Sequence, residues 1–172
     1  MIYFSTYKSP LGKLTLESDG QNLTGLWIKE QNYHRQPLGA QPLLLDDNLP
    51  IFQETKRWLQ SYFASLKPEV SALPLAPKGN EFRERVWKIL LKIPYGKVTT
   101  YGKIARQIAD QMGKTKMSPQ AVGGAVGHNP ISIVIPCHRV IGANGNLVGY
   151  GGGISNKAKL LKLEGLDLTK LS

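Results

Sequence analysis

A proline-rich segment at positions 67–78 is the feature that most constrains how this chain folds. It places three prolines within twelve residues (KPEVSALPLAPK). Proline lacks a backbone N–H and fixes φ, so such a run favours an extended linker over a helix or a central strand. We therefore expect the 172 residues to form an N-terminal domain over 1–78 and a C-terminal domain over 79–172.

Charge is distributed unevenly between these two domains. Residues 1–78 carry 8 lysines and arginines against 7 aspartates and glutamates, a net charge of +1. Residues 79–172 carry 14 against 5, a net charge of +9 within a total of +10. Such an excess indicates a polyanionic partner, either nucleic acid or an anionic membrane surface, although many basic proteins bind neither. No apolar run approaches the roughly 20 residues that span a bilayer, and we see no signal peptide.

The N-terminal domain is predicted to be a small α+β unit. Strands are expected over 2–7 and 14–18 as a hairpin, with a third over 23–28. Residues 29–50 are expected to cross irregularly, with His34 at the surface, before a helix over about 50–65. We find no catalytic constellation in this domain.

The C-terminal domain is predicted to be mainly helical. Asn80, Thr100 and Ser118 are suitable N-caps for three successive helices, and a last helix runs from near Ser155 to Gly165. Two short helices joined by a tight turn indicate a helix-turn-helix, although a packed helical hairpin is the commoner alternative. The predicted fold class is α+β, with a winged helix-turn-helix-like second domain.

The third of these helices contains Gly123, Gly124 and Gly127. Each glycine weakens a helix by about 1 kcal/mol relative to alanine, so we expect a close backbone approach to something. The partner is either another helix, which we favour slightly, or a nucleic-acid backbone.

The single cysteine, Cys137, excludes an internal disulfide and a multi-cysteine metal site, and it suits a reducing cytoplasm. The apolar run at 131–135 predicts a buried strand or extended segment that leads into Pro136, Cys137 and His138. A neighbouring histidine favours the reactive thiolate, but adjacent residues of an extended chain point apart, so a water or a bend at Pro136 is required. The alternative is that Cys137 is only a small buried hydrophobic residue.

Glu164 is a carboxylate in the last turn of the last helix, where the helix dipole disfavours it. It is either solvated or held by a partner such as His138.

The sequence Ile135-Pro136-Cys137-His138-Arg139-Val140 resembles the acceptor motif of the O6-alkylguanine-DNA alkyltransferases (methylated-DNA–protein-cysteine methyltransferases). The resemblance is strong over about 80–166 and rests only on length and layout over 1–78. It implies DNA repair by irreversible, stoichiometric transfer of an alkyl group from O6-alkylguanine to Cys137. The base would be flipped out of the duplex from the minor-groove side.

The resemblance also implies roles for individual residues. Cys137 is the acceptor, His138 takes the thiol proton through a water, Glu164 orients His138, and Asn129 braces the nearby turn. The implied substrate contacts are the Tyr101 hydroxyl, the carbonyls of Cys137 and Val140, and the loop residues Tyr150 and Gly151. The expected DNA contacts come from Lys114, Lys116, Gln120, Ala121, Gly123, Gly124 and Arg139.

Three departures from the family pattern bear on these expectations. Gln120 stands where the family normally has an arginine, which predicts weaker DNA binding or flipping. Gly151 lies where many members of the family have a serine that hydrogen-bonds the O6 region, so only its backbone N–H can make that bond. Residues 1–78 hold no cysteine and only His34, so we expect no zinc, and we expect no cofactor.

Two other functions stay open at this point. One is a non-catalytic protein that binds alkylated bases and recruits repair factors, and the other is a cysteine hydrolase. We expect a monomer; the size of the alkyl group, activity on O4-alkylthymine and cooperative assembly on DNA are left open.

Overall fold

A computed structural model describes residues 1–28, 43–150 and 152–170 of the chain. It has two compact units, one formed by 1–78 with 130–132 and the other by 79–129 with 133–172. The first is a small sheet with a helix and the second is mainly helical, which confirms the predicted α+β class.

The first unit is built on a four-stranded sheet. Its strands lie in the order β3-β2-β1-β4, where β1 is Ile2–Ser9, β2 is Gly12–Ser18, β3 is Leu23–Ile28 and β4 is Leu43–Leu45. The predicted hairpin between β1 and β2 is confirmed, and Gly12 turns it with a φ of +98° that favours glycine. Helix α1 (Pro50–Phe63) contacts β1, β2 and β3 and buries Phe52, Trp58 and Leu59.

The proline-rich segment is part of the first unit, so its prediction as a linker is wrong. Residues Val70–Ala72 form a short 3₁₀ helix and Leu73 is buried. The Leu23 N–H donates to the Pro74 carbonyl at 2.8 Å, and the Ala76 N–H donates to the Leu23 carbonyl at 2.9 Å. Proline cannot donate a hydrogen bond but its carbonyl still accepts one, which is how this segment lies along β3.

The second unit has four helices and a two-stranded sheet in its described part. The helices are α2 (Glu81–Leu90), α3 (Tyr101–Gln111), α4 (Pro119–Gly127) and α5 (Ile154–Leu163). The strands are β5 (Thr99–Thr100) and β6 (Val140–Ile141), which pair in parallel.

The three predicted N-caps of this unit are confirmed. Asn80 accepts from the Arg83 N–H at 2.8 Å, and Thr100 accepts from the Lys103 N–H at 3.2 Å. Ser118 caps α4 through the Ala121 N–H at 3.3 Å. Trp87 on α2 donates its indole N–H to the Ala125 carbonyl at 2.9 Å, which holds α4 against α2.

The apolar run at 131–135 is buried, as expected, but it is not a strand. Only Ile131 forms a bridge, with Leu26, and a turn follows. Ile133 has a φ of +71°, a left-handed conformation that costs a β-branched residue about 1–3 kcal/mol. This turn directs the chain toward Pro136. The predicted irregular crossing at 29–50 lies mostly outside the described residues.

Candidate active site

Cys137 begins a 3₁₀ turn, Cys137–Arg139, and is buried, with 5% of its surface exposed. Its own N–H donates to the Ile135 carbonyl at 2.8 Å. The side-chain amide of Asn129 donates to the same carbonyl at 2.8 Å and also hydrogen-bonds the thiol. Asn129 therefore lies where the resemblance implied, bracing the turn that carries the cysteine.

His138 and Glu164 meet in the interior of the second unit. Both side chains are wholly buried, and His138 Nε2 lies 2.6 Å from Glu164 Oε2. The backbone N–H of Gly96 donates to Glu164 Oε1 at 3.0 Å. These partners explain why a carboxylate is tolerated at the end of α5, where the helix dipole disfavours it.

Arg139 belongs to the same buried cluster. Its Nε donates to Glu164 Oε1 at 2.8 Å and its Nη2 donates to Oε2 at 3.2 Å. Its Nη1 donates to the Ile93 carbonyl at 2.7 Å. The structure therefore does not support the expected DNA contact by Arg139, because all three guanidinium nitrogens are engaged inside the protein.

The contacts of this cluster set its protonation states. Burial raises the pKa of Glu164, but hydrogen bonds and charge from His138 and Arg139 outweigh it and lower the pKa to about 2. Burial lowers the pKa of His138, Glu164 opposes that change, and Arg139 and Lys157 add to it. At neutral pH the pair is therefore a carboxylate beside a neutral imidazole, which can accept a proton.

Burial raises the pKa of the Cys137 thiol, and the hydrogen bond from Asn129 and the charge of Lys157 only partly offset this. A buried thiol of this kind stays protonated at neutral pH. Because the thiolate is the nucleophile, the site needs a base to generate it.

Lys157 is a site residue that the sequence analysis missed. Its side chain is wholly buried, and its ammonium donates to the carbonyls of Val140, at 2.5 Å, and Val148, at 2.9 Å. Burial lowers its pKa to about 8, while Cys137 acts in the opposite direction. A signal for it exists, since Lys157, Leu160, Leu161 and Glu164 repeat at helical spacing on the buried face of α5.

The residues expected to contact the base lie near this lysine. The Tyr101 hydroxyl donates to the Val148 carbonyl at 3.1 Å and lies 3.4 Å from the Gly149 carbonyl. Burial raises the pKa of Tyr101 to about 12, and Cys137 adds to the rise, so the hydroxyl keeps its proton. Val140 and Tyr150 are buried. Gly151 lies outside the described residues.

The helix expected to meet DNA is exposed along one side. Gln120, Ala121 and Gly124 are exposed, as are Lys114 and Lys116 in the preceding turn. A Cβ added at Gly124 or Gly127 would meet nothing within 4 Å, and one at Gly123 would meet only the Tyr101 ring, at 3.9 Å. The slight preference for a partner helix is therefore wrong, because no backbone from another described element comes within 4 Å of a Cβ placed at these glycines.

Two observations concern metal and membrane. Within 1–28, 43–150 and 152–170, no group of three histidine, cysteine, aspartate or glutamate side chains is arranged to hold a metal ion. None of the helices in those ranges has the length and apolar character needed to cross a bilayer. His34 lies outside the described residues.

Comparison with known proteins gives matches over nearly the whole chain. Residues 2–77 match the 6-O-methylguanine DNA methyltransferase, ribonuclease-like domain, and residues 81–166 match the 6-O-methylguanine DNA methyltransferase, DNA binding domain. The chain is 45% identical over 164 residues to a methylated-DNA–protein-cysteine methyltransferase of Mycobacterium tuberculosis, covering 95% of this chain and 93% of that protein. It is 39% identical over 163 residues to one from Haemophilus influenzae, covering 95% and 86%. The structure resembles that of Mycobacterium tuberculosis OGT in complex with DNA, with a TM-score of 0.80, 42% identity and coverage of 98% and 94%.

Proposed function

This chain belongs to the 6-O-methylguanine DNA methyltransferase family, and from that premise we propose that Cys137 is its alkyl acceptor. Its relatives are methylated-DNA–protein-cysteine methyltransferases, so its activity is DNA repair by transfer of an alkyl group to a cysteine. The observation that carries the assignment to Cys137 is the buried pair of His138 and Glu164, 2.6 Å apart, in which His138 directly follows a buried cysteine in the chain.

The reaction is a displacement at the alkyl carbon. His138 takes the thiol proton through a bridging water, and Glu164 stabilises the imidazolium that results. The sulfur of Cys137 attacks the alkyl carbon on O6, so that an S–C bond forms as the C–O bond breaks. The electron pair of the broken bond stays on the purine oxygen, and the purine takes up a proton and is restored to guanine within the DNA strand. The thioether has no route back, so each molecule reacts once.

The purine gains negative charge during this step, and two groups are suited to meet it. The Tyr101 hydroxyl remains protonated well above neutral pH and can donate to the purine once it leaves the Val148 carbonyl. The Val140 carbonyl, which Lys157 already holds in place, can accept from the exocyclic amine of guanine. Tyr150, which is buried, would form part of the wall of this pocket.

We infer that the second unit binds duplex DNA and flips the damaged base, since the reacting carbon cannot be reached inside a stack. Support comes from its net charge of +9, from the exposed Lys114 and Lys116, and from the uncovered side of α4 around Gln120, Ala121, Gly123 and Gly124. Backbone phosphates would supply affinity without sequence preference, which suits a lesion that occurs in any context. We expect a monomer to bind, in the cytoplasm, where a reactive thiol stays reduced.

The test is the mass of the protein after incubation with a duplex that contains one O6-methylguanine. We expect a gain of one methyl group per molecule, located on Cys137, with a stoichiometric end point and no gain in Cys137→Ser. The same duplex with O4-methylthymine measures the scope of the reaction. Binding without any gain in mass would favour a protein that only recognises alkylated bases, and multiple turnover would favour a hydrolase.

A further inference from the structure

Arg139 is a charged side chain with an unusual degree of burial for a DNA-binding unit. Only 9% of the side chain is exposed, and Nε, Nη1 and Nη2 each donate a hydrogen bond within the protein. Its Cζ also lies 5.8 Å from the centre of the Tyr95 ring. A contact with a DNA phosphate would require these bonds to break, so another role has to account for the residue.

The geometry shows what the guanidinium holds. The guanidinium donates to both oxygens of Glu164, from Nε at 2.8 Å and from Nη2 at 3.2 Å. This bidentate arrangement fixes the plane of a carboxylate. The third bond, to the Ile93 carbonyl, anchors the guanidinium to the chain just after α2. With Gly96 on Oε1, the carboxylate has one orientation, and in that orientation Oε2 faces His138 Nε2.

We propose that Arg139 is a positioning residue for alkyl transfer, which fixes the Glu164 carboxylate so that Oε2 faces His138. This inference rests on the proposed function of Cys137 and His138. Arg139 touches neither the thiol nor the substrate in this assignment; it acts through Glu164.

The charge balance around His138 gives the reason. The ionisable groups that act on the imidazole are Glu164 at the end of α5, Lys157 within α5, and Arg139, the next residue in the chain. Glu164 raises the pKa of His138, whereas Arg139 and Lys157 lower it. Without Arg139, less positive charge opposes the effect of Glu164 on the pKa of His138, so that pKa rises. The imidazole then stays protonated up to a higher pH, and in that form it cannot take the thiol proton.

The experiment compares two substrates, because a free base needs no phosphate contact. O6-methylguanine is supplied as the free base and within a duplex, and methyl transfer to Cys137 is followed in single turnover between about pH 5.5 and 9. The variants are Arg139→Met, which removes the charge, and Arg139→Lys, which keeps the charge but cannot grip both oxygens. Arg106→Met, at an exposed arginine on α3, is the matched control.

We expect Arg139→Met to lower the rate about tenfold or more on both substrates, since a well-placed base contributes about 10²–10⁴-fold. The acid limb of its pH profile should move to higher pH, while the duplex Kd stays within about twofold and its dependence on salt is unchanged. Arg139→Lys should show a smaller loss and a smaller shift. Arg106→Met should react with the free base as the wild type does.

Other outcomes would overturn the inference. If Arg139→Met reacts normally with the free base but binds the duplex weakly, with a shallower salt dependence, Arg139 is a phosphate contact. If the Arg139→Met variant does not fold, Arg139→Lys carries the test, because it keeps the charge but cannot hold both oxygens of Glu164; a rate on the free base equal to that of the wild type would contradict the proposal. Failure of the proposed function is a separate result, because the wild type would then gain no methyl group from either substrate.

Discussion

Replacing Lys157 with methionine tests whether a buried ammonium lies beside the acceptor cysteine. The lysine side chain is wholly buried and donates to two carbonyls, those of Val140 and Val148. Within the described parts of the chain, no carboxylate lies within 4.0 Å of its Nζ. Burial without a carboxylate partner disfavours the charged form and lowers the pKa of Lys157 from 10.5 to about 8.

The size and sign of the effect follow from that change in pKa. A fall from 10.5 to about 8 corresponds to about 3 kcal/mol, because each pKa unit is worth about 1.4 kcal/mol. Between these two pH values the unfolded chain keeps a proton that the folded chain has released, so the free energy of unfolding rises with pH. Below about pH 8 Lys157 is protonated in both the folded and the unfolded state, so the cost of burying its charge lowers the free energy of unfolding in full.

The assay is urea unfolding at a series of pH values from about 7 to 10.5, in a Cys137→Ala background. That background is needed because burial raises the pKa of the thiol, so folded Cys137 retains a proton that the unfolded chain loses, which gives a slope of opposite sign. The stability difference between the Lys157 parent and Lys157→Met should change by about 2–3 kcal/mol across this range. Lys159→Met, at an exposed lysine of the same helix, should show no such change. A flat difference for Lys157→Met would refute a buried ammonium.

Three further substitutions test the site and the DNA-binding helix. Glu164→Gln should slow methyl transfer about 10–100-fold and leave duplex binding intact, because it removes the anion that stabilises imidazolium; an unchanged single-turnover rate would remove the relay. Gly124→Ala should stabilise the fold by about 0.5–1 kcal/mol in urea unfolding yet weaken duplex binding, because its Cβ meets nothing in the protein. Equal or tighter binding would contradict a close approach of DNA. Gln120→Arg should tighten duplex binding and speed repair, and identical titrations for the two proteins would show that the charge at this position is immaterial.

The local structure of the second unit was predictable because its determinants are local. Asn80, Thr100 and Ser118 each cap a helix through a backbone N–H three residues away. Such bonds close within one helical turn and depend little on the rest of the fold. The same holds for the hairpin turn at Gly12, where a short loop and one permissive residue suffice.

Errors arose where distant contacts override local preference. The prolines at 67–78 indicated a linker, yet the Pro74 carbonyl accepts from β3 and the Ala76 amide donates to it. The β-branched run at 131–135 indicated a strand, yet a left-handed Ile133 turns the chain toward the cysteine. In both cases the competing interaction comes from residues far along the chain or from burial, neither of which is visible in a short window.

The sequence by itself determined the chemistry that is available: one cysteine, a histidine beside it, a carboxylate at the end of the last helix, and a strongly basic second half. The tertiary structure decided how these groups behave. It brings Glu164 into contact with His138 and places Arg139 against that carboxylate, where a DNA contact was expected. It also buries Lys157 close enough to Cys137 for its charge to act on the thiol. The reason is physical: the pKa of a side chain depends on desolvation and on charges brought near it in space, and only the folded chain fixes both.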